Sequence, residues 1–337
     1  MAKGKLRTRT VAGVHFRQIE VTRAYDITAK MRRIEFAILP GPRPGETVAT
    51  PQPPFQSGGF DDNVRLIFPD PQSEELPIPR PEGSAEYGWT EASKALTRAY
   101  TVRKWDAEEN CLTIDFARHH QGVAEEWSAT VAPGKRLWLA GPRTYLAFPE
   151  AIDHLIMIAD PTALPAMERG AEEAPPGCQV TALCLIPDEG FINHDFQLPG
   201  LELRWLLDAD PQTIESELRA AVGQSDEVIY VWAAGETNQL RELRKIVKAA
   251  GVPASHCEFT GYWRKTAGEH IPSSIEAEDV LEFLSAGAHT PMQISDALSL
   301  DLHLVEVIVE HMEELNLVSR QGDAYQLTKQ AITLRQQ

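Results

Sequence analysis

Apolar residues recur along this chain with two different rhythms, and the change from one to the other divides it. Between residues 14 and 39, Phe16, Ile19 and Val21, then Met31, Ile34, Phe36 and Ile38, alternate with polar residues around a turn at Asp26. That pattern predicts two strands, each with one buried face. Segments 64–68 (ended by Pro69), 98–103, 112–116 and 137–143 read as further strands, with one short helix over 122–131. Together they predict a small antiparallel barrel. Stretches 40–61 and 70–90, rich in Pro, Gly and Glu, are expected to be long loops, functional or mobile.

From residue 151 the runs become almost continuously apolar. Strands are expected at 154–159, 180–186, 201–207 and 228–232, and helices at about 163–173, 211–222 and 236–250. Alternating buried strands and amphipathic helices predict a doubly wound parallel sheet. Residues 275–337 change character again, with helices at about 276–286, 291–299 and 301–316 and a hairpin around Gln321, Gly322 and Asp323. Leu302, Val305, Ile308, Val309, Met312 and Leu315 line one face of the third helix at helical spacing, a winged-helix pattern. The fold class expected is therefore multidomain β plus α/β: a barrel over 1–148, a parallel-sheet domain over 149–270 and a small winged-helix-like α/β tail over 275–337.

Composition narrows the function. A hydrophobic fraction of 43% and a charged fraction of 24% belong to a globular protein. No apolar run reaches the roughly 18 residues a membrane span needs. Lys3, Lys5, Arg7 and Arg9 are not followed by the apolar stretch of a secretory signal. Cys111, Cys178, Cys184 and Cys257 are far apart with no CxxC, which fits a reducing cytoplasm and no iron–sulfur cluster. The net charge of −17 argues against nucleic acid and means that an anionic ligand needs local cations. The tail alone carries 11 acidic and 3 basic residues. Its third helix presents Glu306, Glu310, Glu313 and Glu314, a face suited to docking a protein partner or a second copy rather than phosphate.

Arg98, Tyr100 and Thr101 open a strand with a guanidinium, an aromatic ring and a hydroxyl, a set that suits a flavin: a ring to stack, a hydrogen bond to its edge and a fork for phosphate. Downstream follow His119-His120, the helix start Gly122-Val123-Ala124 with Trp127, the strand ending Gly141-Pro142-Arg143, then Asp160-Pro161-Thr162-Ala163, Gly235-Glu236 and Gly261-Tyr262-Trp263-Arg264. In this order the signals resemble the siderophore-interacting protein family, FAD-dependent ferric-siderophore reductases of the ferredoxin-reductase-like superfamily, over roughly residues 10–268.

The resemblance implies FAD on the barrel and NAD(P)H entering from the sheet. It gives Arg98, Tyr100 and Thr101 to the isoalloxazine and phosphate, and Asp115, Phe116 and His119 to the ribityl and adenine side. Gly122, Val123 and Ala124 then meet the pyrophosphate at a helix N-terminus, beside Trp127. Glu125 and Glu126 depart from the family pattern there, and Glu126 is expected to face solvent. Thr162, Ala163, Gly235 and Glu236 are implied on the nicotinamide side. Arg65, Arg143 and Arg264 form an expected cationic set for a ferric siderophore, a multiply charged anion. No general acid or base and no metal ligand set is expected. Two other readings stay open: a general NAD(P)H:flavin or quinone reductase, and a flavin-based redox sensor signalling through the tail.

Overall fold

The computed structural model describes residues 6–12, 14–41, 52–77, 96–118, 122–223, 227–263, 275–285, 287–298, 302–314, 317–329 and 331–332. His119, Arg264 and Leu315, the Leu302 side chain and most of the two expected loops (42–51 and 78–95) lie outside them. The chain forms two compact units, residues 1–233 with 246–258, and residues 234–245 with 259–337.

In the first unit a seven-stranded antiparallel sheet is built from β2 (Phe16–Asp26), β3 (Met31–Ile38), β4 (Asn63–Ile67), β5 (Thr97–Thr101), β6 (Lys104–Asp106), β7 (Cys111–Ala117) and β8 (Arg136–Ala140). Its strand order is β5-β4-β8-β2-β3-β7-β6. The order explains how the sheet curls into a barrel. β5 pairs with β4 at one edge and β6 pairs with β7 at the other, and only Val102 and Arg103 separate them. Val102 N–H still donates to Asp62 O (2.8 Å), whereas Arg103 N–H already donates to Thr113 O (3.0 Å). The barrel seam therefore lies between these two residues.

The expected alternation holds in β2 and β3, where Ile19, Val21, Ile34 and Phe36 enter one core with Leu66, Phe68, Ile114 and Leu139. A two-stranded sheet not foreseen in the sequence joins β1 (Arg9–Val11) to β9 (Thr144–Leu146). The end of the first expected loop is also well ordered: Phe55, Phe60 and Asp62 are buried. A side chain at Gly59 would collide with the Leu146 carbonyl, so this turn requires glycine.

The five-stranded sheet has the order β12 (Leu201–Leu207), β11 (Gln179–Ile186), β10 (His154–Ala159), β13 (Ile229–Glu236) and β14 (Cys257–Trp263). β10 pairs in parallel with β11, and β11 with β12. All six residues of β10 are buried, as a central parallel strand requires, while the edge strand β12 is half-exposed. After α1 (Val123–Thr130) in the barrel, α2 (Leu164–Glu172) follows β10 and α3 (Pro211–Val222) follows β12. Asp210 caps α3 by accepting from Thr213 N–H at 2.7 Å, with Pro211 in the first turn. Every residue of α2 from Leu164 to Ala171 is buried, the charged Glu168 and Arg169 included.

In the second unit the residues from 275 form α5 (Ile275–Leu284), α6 (Pro291–Leu298), α7 (Leu302–Glu314) and an antiparallel hairpin, β15 (Val318–Gln321) with β16 (Ala324–Leu327). Val305, Ile308, Val309 and Met312 of α7 share a core with Val280, Leu284, Ile294 and Tyr325. Thr290 and Gln293 form a reciprocal cap at the start of α6, with bonds of 3.3 and 2.9 Å. α4 (Thr237–Ala249) starts in this unit, where Glu236 accepts from Gln239 N–H at 2.8 Å and Gly235 adopts a φ of 147°.

Candidate functional site

The seam strand β5 carries the residues expected at the flavin. Tyr100 lies against Phe116 at 4.3 Å between ring centroids and edge-on to Phe68 at 6.2 Å. Trp127 joins the same aromatic group, 6.3 Å from Phe116 and stacked parallel to Phe36 at 6.5 Å. Burial and the nearby Glu125 carboxylate push the Tyr100 hydroxyl pKa up, against an opposing pull from Arg98, so it stays protonated. Thr101 differs from its neighbours. Its hydroxyl oxygen is buried and has no hydrogen-bond partner among the described residues. An orphaned buried hydroxyl costs about 1–3 kcal/mol, and native structures rarely leave one without a reason.

The other flavin-side residues are distributed as follows. Arg98 is exposed, and its Nη1 donates to the Thr97 carbonyl at 2.8 Å. Gly122 stands at the N-cap of α1 in extended conformation, with Val123 and Ala124 in the first turn and no side chain capping it. Glu126 is exposed, while Glu125 is half-buried. Period-2 alternation puts Asp115 and Phe116 on opposite faces of β7, and both faces are buried. Only Phe116 meets Tyr100. Asp115 holds Arg33 through both carboxylate oxygens, each at 2.7 Å.

On the nicotinamide side, the Asp160–Ala163 turn leads into α2. Asp160 Oδ1 accepts from Thr162 N–H at 2.8 Å and from the Thr162 hydroxyl at 2.6 Å, and Ala163 is fully buried. The hydroxyl expected to greet a ligand is thus already bonded. Gly235 and Glu236 are described with the second unit, where the Glu236 carboxylate caps α4.

Arg65 on β4 lies opposite Ala140 and Ala99 in register. It reaches the surface yet is ringed by protein, and lost hydration lowers its guanidinium pKa. Among the described residues no carboxylate pairs with it. Arg143 is exposed three residues beyond the end of β8.

A dense polar network runs between the barrel and α2. Arg103 forks onto Glu172 at 2.7 and 2.5 Å and approaches Glu168 at 3.3 Å. Arg169 donates to Val102 O and to Ser57 Oγ, both at 2.8 Å. Ser57 in turn donates to Asp62 Oδ2 at 2.8 Å, and Gly59 N–H reaches the same oxygen at 3.0 Å. Burial raises the Asp62 carboxyl from an ordinary 3.8 to about 6 despite these bonds and the nearby Arg169. A second cluster joins Arg7 to Asp61 (2.6 Å) and Glu258 (2.7 Å), with Tyr230 and Trp232 donating to the same two carboxylates. Sequence reading did not single out these clusters. Arg7 and Glu258 are 251 residues apart and Arg103 and Glu172 are 69 apart, so local spacing gave no signal for them.

Two family models match in tandem. Residues 20–146 fit the siderophore-interacting FAD-binding domain, and residues 152–266 fit the siderophore-interacting protein model. A siderophore utilization protein of known structure from T. fusca is 32% identical, with a TM-score of 0.63 over 79% of this chain and 99% of that one. The chain belongs to the siderophore-interacting protein family. Among other relatives, the NADPH-dependent ferric-chelate reductase of Escherichia coli is 28% identical, over 74% of this chain and 93% of its own. The ferric vibriobactin reductase of Vibrio cholerae is 31% identical, over 55% of this chain and 70% of its own. A ferredoxin NADP+ reductase from Neisseria gonorrhoeae shares the fold alone, at 12% identity and a TM-score of 0.51.

The residues of this family member fit FAD. The open hydroxyl of Thr101 sits next in sequence to the half-buried ring of Tyr100, on a strand whose Arg98 reaches solvent. No cluster of metal-ligating side chains occurs among the described residues, and no described helix is long and apolar enough to cross a membrane.

Proposed function

We propose that this protein is an FAD-dependent ferric-siderophore reductase that draws electrons from NAD(P)H and frees iron in the cytoplasm. The observation that carries the reading is the orphaned Thr101 hydroxyl, because a bound isoalloxazine edge would satisfy it. In this reading Tyr100 and Thr101 hold the ring, Phe116 backs Tyr100, and Arg98 binds phosphate together with the first-turn amides of Gly122, Val123 and Ala124. Asp115 serves the site indirectly, by fixing Arg33 opposite it on the neighbouring strand β3. Thr162 and Ala163 form the turn that the nicotinamide approaches, and Asp160 keeps that turn rigid.

The chemistry FAD supplies when bound is exchange of one hydride from NAD(P)H, which leaves as NAD(P)+, for two single electrons, each converting one Fe(III) to Fe(II), with the proton passing to solvent. The protein contributes orientation and charge. Arg65 and Arg143, with Arg264, are assigned to the anionic ferric complex. Arg65 fits that role because no carboxylate among the described residues pairs with it, in a chain of net charge −17. Fe(II) binds the hard oxygen donors of the complex more weakly than Fe(III), so reduction releases the metal.

The barrel over 1–148 would carry FAD and the sheet domain over 149–270 the nicotinamide. The tail over 275–337 is read as a winged-helix-like module that docks a protein partner or a second copy. Glu306, Glu310 and Glu313 are exposed along α7, a face that repels phosphate.

The test is anaerobic: NADPH should bleach the flavin band of the purified protein, and ferric siderophore should restore it. Arg65→Gln should raise KM for the anionic ferric complex by about 5- to 10-fold at low salt and by less at high salt. With a neutral acceptor it should match wild type. An equal loss with both acceptors would move the reading to a general flavin reductase.

A further inference from the structure

Arg103 follows Thr101 by two residues and stands where the barrel closes. Its main chain belongs to the β7 side of the seam, through the 3.0 Å bond to Thr113 O. Its side chain leaves the barrel for α2. Both Nη atoms meet Glu172, Nε meets Glu168 Oε2 at 3.3 Å, and Asp115 Oδ2 lies 3.9 Å away. Arg33 also approaches Glu168 at 3.8 Å, and Asn193 donates to its other oxygen at 3.0 Å. The preceding carbonyl, of Val102, is held by Arg169. Two consecutive seam residues are therefore gripped by Glu168, Arg169 and Glu172, on adjacent turns of one helix.

Buried ion clusters are poor investments in stability, since desolvation offsets most of their attraction. Their geometry, in contrast, is well defined. The side chain of Arg103 is only 6% exposed and its planar fork leaves little freedom. The grip begins at Glu168, about 6 Å along the helix from Leu164 at 1.5 Å per residue. Thr101 is about 7 Å along the extended chain from Arg103. A strand and a buried helix joined there hold the Thr101 hydroxyl and the Thr162–Ala163 turn at one fixed spacing.

Resting on the flavin and nicotinamide assignments above, we propose that Arg103 is a positioning residue: through Glu168 and Glu172 it sets the distance over which hydride passes from NAD(P)H to the flavin. Hydride transfer needs near-contact, and a misplacement of about 1 Å can slow such a step about 100-fold. Electron delivery to the ferric complex is assigned to Arg65, Arg143 and Arg264 and to no residue of α2, so it should be spared.

The test uses the full-length, FAD-loaded chain with Arg103→Gln and Arg103→Lys. Stopped-flow bleaching by NADPH should slow by about 100-fold in the Gln variant and about 10-fold in the Lys variant, which keeps the charge but not the fork. The primary isotope effect with deuterated NADPH should rise as hydride transfer becomes fully rate-limiting. Reoxidation of the dithionite-reduced protein by ferric citrate, and the FAD Kd from fluorescence, should stay within about threefold of wild type.

Bleaching within about threefold of wild type in a folded, FAD-loaded variant overturns the proposal, and so does an equal fall in both half-reactions. If Arg103→Gln does not fold, Glu172→Gln replaces it, with about 10-fold slower bleaching expected. Wild-type protein that neither nicotinamide bleaches would instead sink the functional reading. The grip is then read by amide hydrogen exchange of the flavin-free chain. Faster exchange at residues 99–103 and 164–172 in Arg103→Gln upholds it, and unchanged exchange overturns it.

Discussion

Two threonines of the first unit, one ending β5 and one three residues past β10, show how differently this protein treats its polar groups. Thr162 is held twice by Asp160, through its N–H and its hydroxyl. Thr101 has a buried hydroxyl with no partner among the described residues. The arginines divide in the same way. Arg7, Arg33, Arg103 and Arg169 are each locked to carboxylates, whereas no described carboxylate pairs with Arg65. Where the chain satisfies itself, it is fixing its own architecture. Where it leaves the buried Thr101 hydroxyl open at a cost, that atom is available to something that binds. The paired groups lie along the junction of barrel and α2 and around Arg7. Arg65 and Thr101 lie on the paired strands β4 and β5.

The sharpest way to break the comparison is to open one of the closed clusters. Arg7 is buried, and Asp61 and Glu258 both depend on it. Arg7→Ala strands two carboxylates, so urea unfolding should show a loss of about 3–5 kcal/mol, the range for breaking a buried pair. Arg7→Lys should recover part of it, since one ammonium cannot serve Asp61, Glu258 and the carbonyls of Leu146 and Ala147 together. A loss below about 1 kcal/mol would mean that the cluster behaves as a surface pair, and the contrast with Arg65 would fail.

Asp62 lies between the two classes: its carboxylate has partners, yet burial keeps its pKa near 6. A carboxyl raised on folding favours the folded state when protonated. Its contribution is therefore fully present below 3.8 and is lost as pH rises through about 6. Asp62→Asn, which can still accept from Ser57 and Gly59, removes that dependence. The stability of wild type relative to Asp62→Asn should fall by about 2–3 kcal/mol between pH 4 and pH 7, most of it between pH 4 and pH 6. Parallel pH profiles for the two proteins would show that Asp62 is ionised without penalty.

Much of the scaffold was legible in the sequence, because strands such as β3 and β10 follow the periodicity that their burial demands. The closed clusters were not. β7 is polar at Thr113 and Asp115, a pattern that normally marks a solvent face, yet the structure buries both faces. Asp115 is tolerated because Arg33 arrives from 82 residues away, and Arg103 meets Glu172 from 69 away. Local spacing carries no trace of such pairings. The seam was hidden for the same reason: 98–103 reads as one strand, and only long-range pairing splits it between two sheet edges. The motif at Arg98, Tyr100 and Thr101 could be found by chemistry and resemblance, but that one of its hydroxyls is left open could be seen only in the fold.

The smallest effect discriminates best, because its sign changes between the two threonines. Thr101→Val removes an unsatisfied polar atom, so the flavin-free protein should unfold at the same free energy or up to about 1 kcal/mol higher. FAD affinity should fall by about 0.5–1.5 kcal/mol, the worth of one ordinary hydrogen bond. Thr162→Val should do the reverse. The flavin-free protein should lose about 1 kcal/mol, because Asp160 is buried and gives up the Thr162 hydroxyl as a donor, while FAD affinity should hardly move. Denaturant unfolding without flavin and fluorescence titration with it give all four numbers. If Thr101→Val destabilises the flavin-free chain as Thr162→Val does, the Thr101 hydroxyl has a structural partner after all, and the strongest argument from this fold for a flavin on β5 falls with it.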